Sequence, residues 1–195
     1  MEEHSKEYEL IQEELKDFIY SKKGGLRERI YDSMYRMFIA NRAIKYSFLV
    51  PSSDYLRAEL LCEDISIESG YNFTHTDLLN LLFRDFLINM RRIPDHHKIH
   101  SELAARDQRP PLICKNGQEQ KVHYSKEFIE IEFVVNRRDA LRVEVFLADV
   151  NELYPDTPFM VPDVIQILYC DFIKAYRTGG MKDVVNRIIS HLEEE

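Results

Sequence analysis

The spacing of apolar residues changes partway along the chain, and that change restricts it to a mixed fold. Over residues 1–92 apolar side chains recur every three or four positions, as on one face of an α-helix, whereas residues 126–149 alternate apolar and polar as β-strands do. Helical spacing then returns to the end. A chain of 195 residues with 45% hydrophobic content can bury roughly 70% of the surface its unfolded form exposes. The expectation is one α+β domain over 1–195, with a helical part in 1–104, a sheet part in 110–150 and two C-terminal helices in 162–194.

Tyr8, Ile11, Leu15 and Phe18 predict a helix over 5–21, ended by Lys22-Lys23-Gly24-Gly25. A second helix is expected over 26–46, turning Ile30, Met34 and Ile44 inward, before Pro51 closes the segment. Ser52 or Ser53 can cap a third over 54–64, and Thr76 a fourth that carries Leu79, Phe83, Phe86 and Met90 towards Pro94. Asn116-Gly117 predicts a hairpin near 112–124. Ile129, Ile131, Phe133 and Val135 alternate, as do Leu141, Val143, Val145 and Leu147, which predicts a second hairpin over 128–149 and a sheet of about four antiparallel strands. Pro162 suits the first turn of a helix carrying Ile165, Leu168, Tyr169 and Phe172. A last helix buries Val184, Ile188 and Leu192.

The charges narrow the function classes. With 34 acidic and 26 basic residues the net charge is -8, which disfavours nucleic acid and anionic membrane as general partners. No apolar run reaches the length of a membrane span, and the charged first residues lack the apolar stretch of a secretory signal. Cys62, Cys114 and Cys170 have no C-x-x-C spacing and read as reduced residues of a cytoplasmic protein. There is no phosphate-loop motif, no G-x-G-x-x-G, no G-x-S-x-G and no H-E-x-x-H.

Three clusters could carry function. In Pro94-Asp95-His96-His97-Lys98-Ile99-His100, a helix would set His96 and His100 on one face, where with Asp95 they could hold a divalent metal. The plainer reading, which we favour, is an exposed basic connector with no cofactor. On the predicted hairpin 128–149, either Glu130 or Glu132 falls opposite Glu144, depending on loop length. Opposed carboxylates raise a pKa or attract a cation, so these three are the candidate catalytic residues. Phe128, Val134 and Phe146 share that predicted face and suggest cover by a partner. Tyr31, Tyr35 and Arg36 on the second helix mix aromatic and cationic groups, as protein interfaces and, less readily at this charge, nucleic-acid binders do. The leading expectation is a non-catalytic protein-interaction or regulatory module that binds a protein partner or a second copy of itself. A metal-dependent hydrolase comes second and a nucleic-acid binder using helix 26–46 third.

Overall fold

Residues 128–136 form the strand their alternation predicts, but the partner of that strand lies far upstream. The computed structural model describes residues 8–21, 42–92, 95–107, 113–115, 118–120, 128–179 and 183–193. Its elements are α1 (Glu9–Ser21), β1 (Ala43–Pro51), α2 (Ser52–Ser69), α3 (His75–Arg92), α4 (His96–Arg106), β2 (Ile113–Lys115), β3 (Gln118–Gln120), β4 (Phe128–Asn136), α5 (Arg137–Leu153), α6 (Val161–Arg177) and α7 (Val184–Glu193). β1 and β4 form an antiparallel ribbon, from Ala43 opposite Asn136 to Pro51 opposite Phe128. β2 and β3 form a separate antiparallel pair, the hairpin expected near 112–124. The fold is therefore α+β and mostly helical. Among the described residues it has two two-stranded sheets in place of one sheet of about four strands.

The ribbon turns one face to the core and the other to water. Phe48 and Val50 of β1 are buried beside Ile131, Phe133 and Val135 of β4, while Lys45, Ser47, Glu130, Glu132 and Val134 are exposed. α2, α3, α5 and α6 cover the inner face. The Phe83 ring of α3 meets Phe133 edge-on at 5.6 Å, and Tyr169 of α6 meets Phe48 at 6.2 Å, a geometry favoured by the quadrupoles of the rings. The buried apolar residues form one connected cluster from Leu10 on α1 to Ile188 on α7. Cys62 and Cys170 lie in it as free thiols, each pushed up to about 12 by burial and so held as unreactive thiols.

Two expected elements are corrected. Leu141–Asp149 is not a strand; it belongs to α5. The segment carries both periods, since Ala140, Val143, Leu147 and Val150 also recur at helical spacing, and these four are buried. Asn136 decides the local outcome by accepting a hydrogen bond from the Arg138 N–H at 2.9 Å, an N-cap that starts a helix where a turn was expected. The second correction concerns the helix expected to reach Tyr46. Ala43–Pro51 is β1, in which Ile44, Tyr46, Phe48 and Val50 alternate inward, and residues 26–41 lie outside the described residues. α2 runs further than the predicted 54–64, to Ser69. Gly70 at φ 73° closes it by donating its N–H to the Ser66 carbonyl, a left-handed cap that glycine adopts at little cost.

Inward and outward positions on β4 should respond differently to truncation. Phe133→Ala is expected to cost about 3–5 kcal/mol, and Val134→Ala less than about 0.5 kcal/mol, in urea denaturation. Equal losses would contradict this pleat.

Candidate functional site

Arg137, Glu144 and Asn151 are seven residues apart, two helical turns each, so they form one row along α5. All three are buried despite their polarity, at 4%, 6% and 6% exposure. α1 lies antiparallel along this row and, with Tyr8 just before it and Phe159 before α6, supplies its partners. The Arg137 guanidinium donates to Glu14 at 2.9 Å and to Glu13 at 3.3 Å. The Glu144 carboxylate accepts the Ile11 backbone N–H at 3.2 Å and also receives the Leu10 N–H. The Asn151 amide donates to the Tyr8 hydroxyl at 3.0 Å and to the Phe159 carbonyl at 2.9 Å, and accepts the Phe159 N–H at 2.9 Å.

The row solves a local problem for α1. The first N–H groups of a helix have no partner within it, and a carboxylate is the best acceptor at that positive end. Glu144 provides that carboxylate from another helix. Burial pushes its carboxyl above the ordinary glutamate range; the Ile11 and Leu10 N–H groups pull it back, Glu9 adds to the rise and Arg137 opposes it. A cleft of about 620 Å³ opens beside this row, lined by α1, the start of β1, α5 and the start of α6. Tyr46 lines the cleft, and its phenol is held well above its usual range by burial and then by the nearby Glu144 and Glu9. Glu144 and Arg137, the ionisable groups most deeply set in the cleft wall, are engaged in holding α1.

The predicted site residues are dispersed. Glu130 stands opposite Leu49 and Glu132 opposite Ser47 across the ribbon. Glu132 pairs with Lys45 at 2.5 Å in an exposed contact. The hairpin that would have placed Glu144 opposite either of them does not form, because Glu144 is on α5. Phe128 is half-buried at the end of β4, Val134 is exposed on the outer face, and Phe146 is buried on α5, so these three do not share a sheet face. Tyr31, Tyr35 and Arg36 lie outside the described residues.

Asp95 caps α4, accepting the Lys98 N–H at 3.0 Å. His96 stacks on Phe146 at 4.8 Å, its Nε2 3.8 Å from Asp149. His97 Nδ1 meets the Tyr154 hydroxyl at 2.5 Å. His100 is buried, stacked on Tyr154 at 3.7 Å with Nε2 2.8 Å from the Thr157 hydroxyl. The histidines thus fasten α4 to α5 and the loop after it, each through a different contact. Among the described residues no group of three or more His, Cys, Asp or Glu side chains is placed to hold a metal ion.

A feature missed in the sequence lies on α2. Leu56, Leu60 and Ile67 are 56%, 52% and 72% exposed. At 100° per residue they fall within a sector of about 40°, opposite the buried Ala58, Leu61, Cys62 and Ile65. α2 is therefore apolar on two opposite faces, only one of which the core uses. Exposed Glu59, Glu63 and Asp64 flank the outward row, and exposed Glu68 lies further round the helix. The predicted end at residue 64 excluded Ile67 and hid the row; leucines four apart outside the core set were the available signal.

No family model matches the chain, and neither a curated protein nor a solved structure is similar to it.

The raised Glu144 carboxyl fixes a sign. A carboxyl whose folded pKa lies above its unfolded value contributes stability at low pH, and that contribution is lost as pH rises through the folded pKa. The advantage of Glu144→Gln over wild type should therefore grow as pH rises from the ordinary glutamate range through the raised pKa of the folded state, and then level off. Glu144→Ala, which leaves Leu10 and Ile11 uncapped, should lose about 1–2 kcal/mol relative to Glu144→Gln. Urea denaturation across this range checks both, and a Gln advantage that shrinks with rising pH would contradict the assignment.

Proposed function

We propose that this protein is a non-catalytic protein-interaction module of the cytoplasm and that α2 presents its binding surface. The observation that carries the reading is the outward row Leu56, Leu60 and Ile67, on a helix whose opposite face already supplies its share of the core. Single exposed apolar residues are ordinary, but three aligned over three turns, flanked by charge, have the composition of a helix that receives a partner. The charged and aromatic clusters elsewhere support the same reading. Arg137 and Glu144 are engaged with α1, and His96 and His100 with Phe146, Tyr154 and Thr157, so these groups act as fasteners. Among the described residues no helix is long and apolar enough to cross a membrane, which agrees with a partner met in water.

A photo-crosslinking side chain placed at position 60 or 67 should give discrete adducts in the cells that make this protein, whereas the same probe at exposed position 152 on α5 should not. Leu56→Glu should abolish the adducts while leaving stability within about 0.5 kcal/mol, as expected of an exposed position. Equal adduct patterns from α2 and α5, or adducts indifferent to Leu56→Glu, would contradict the proposal.

A further inference from the structure

Resting on the reading of α2 as an interface, we infer that its occupant is a cationic amphipathic helix of a protein partner, whose apolar residues lie along Leu56, Leu60 and Ile67 and whose lysines and arginines meet Glu59, Glu63, Asp64 and Glu68. From Leu56 to Ile67 the row spans about 16 Å. A partner helix presents anchors over such a length at positions i, i+4, i+7 or i+8, and i+11.

The charges around the row define the partner more closely than the row itself. Glu59 and Glu63 are four residues apart, as are Asp64 and Glu68, and like charges at that spacing weaken a helix. Glu68 also sits in the last turn, at the negative end of the helix dipole, and that turn holds no basic residue. Arg57 on the same helix is engaged with Asp54 and the Ser53 carbonyl. Among the described residues no lysine or arginine forms an ion pair with any of the four carboxylates. Taken alone, α2 is electrostatically unfavourable on its outer face. A cationic helix relieves each of these repulsions, and the net charge of -8 draws such a helix in from a distance.

A second copy of this chain fits the face poorly. A two-fold contact puts the same surface on both sides and would bring two sets of four carboxylates together.

Two labelled helical peptides of about 18 residues decide the matter by fluorescence anisotropy with the full chain. Both carry leucine and isoleucine at the anchor positions; one has lysine and arginine flanks, the other glutamate. The cationic peptide should bind with Kd of about 10–100 μM, weaken in high salt, and bind at least about tenfold more tightly than the acidic one. Ile67→Ser should abolish binding, and Glu59→Lys/Asp64→Lys should reverse the preference; circular dichroism and Tm confirm that each variant is folded. Equal or better binding of the acidic peptide, cationic binding that survives the charge reversal, or no binding of either overturns the inference. A concentration-dependent dimer that Ile67→Arg disperses also overturns it in favour of a second copy, but leaves α2 as an interface. The interface reading itself is judged separately, by the crosslinks at 60 and 67, their absence at 152 and their loss in Leu56→Glu.

Discussion

The pairing of β1 with β4 is the constraint on which the other elements depend. It joins residues 43–51 to 128–136 in an antiparallel register, and its inner face is the surface against which α2, α3, α5 and α6 settle. Two strands alone are marginal in water, so this ribbon and its helices must form together. Because β4 finds its partner upstream, residues 137–153 are released from strand pairing and become α5. That outcome in turn creates the row Arg137, Glu144 and Asn151 and places Phe146 and Tyr154 where the histidines of α4 reach them.

The polar row on α5 acts on position more than on strength. Burying an arginine and a carboxylate carries a desolvation cost that their contacts offset only when the geometry is right. Here the three residues make different demands: Arg137 requires two carboxylates, Glu144 a helix N-terminus, and Asn151 a hydroxyl beside a backbone strand-like contact at Phe159. A shift of α1 by one residue along α5 would break the Arg137 and Glu144 contacts and the bond from Asn151 to the Tyr8 hydroxyl, leaving only the Asn151–Phe159 pairing. Among the described side chains of α1, Leu10 is the one that enters the buried core, and the polar contacts with α5 fix its register. By contrast, α2 is anchored by four apolar residues on its inner face, which leaves its outer face free of structural duty.

How much was legible follows from where the deciding information lay. α3, α6 and α7 could be read because each has one apolar face, and α6 has local end signals as well, Pro162 in its first turn and Gly179 at φ 71° after its end. Thr76, expected to cap α3, lies inside it, and Thr74 accepts the Asp77 N–H at 3.4 Å instead. For α1 the helix is legible but not its face: Leu15 reads as inward yet is 54% exposed, while Leu10 is buried. β1 and α5 could not be read. Ala43–Pro51 follows a helical-looking stretch without a break, and Leu141–Asp149 satisfies both periods, so only the long-range partner distinguishes the outcomes. In the sequence Glu144 reads as one of two opposed carboxylates, whereas the structure uses it as a cap for α1. Arg137 and Asn151 went unnoticed, although polar residues at seven-residue intervals within an apolar pattern were a signal for a buried row. For His96 and His100, helical spacing correctly set a common helix, but the aromatic rings they meet come from the segment read as a strand.

The ribbon supports the rest of the structure, and nuclear Overhauser contacts test it most directly. Cross-strand contacts should connect residues 43–51 with 128–136 in the order Ser47 to Glu132 and Phe48 to Ile131, while residues 140–150 show the sequential amide contacts and i to i+3 pattern of a helix. Cross-strand contacts between 128–135 and 141–149 would contradict it, and with it the placement of α1, α5 and the outward face of α2.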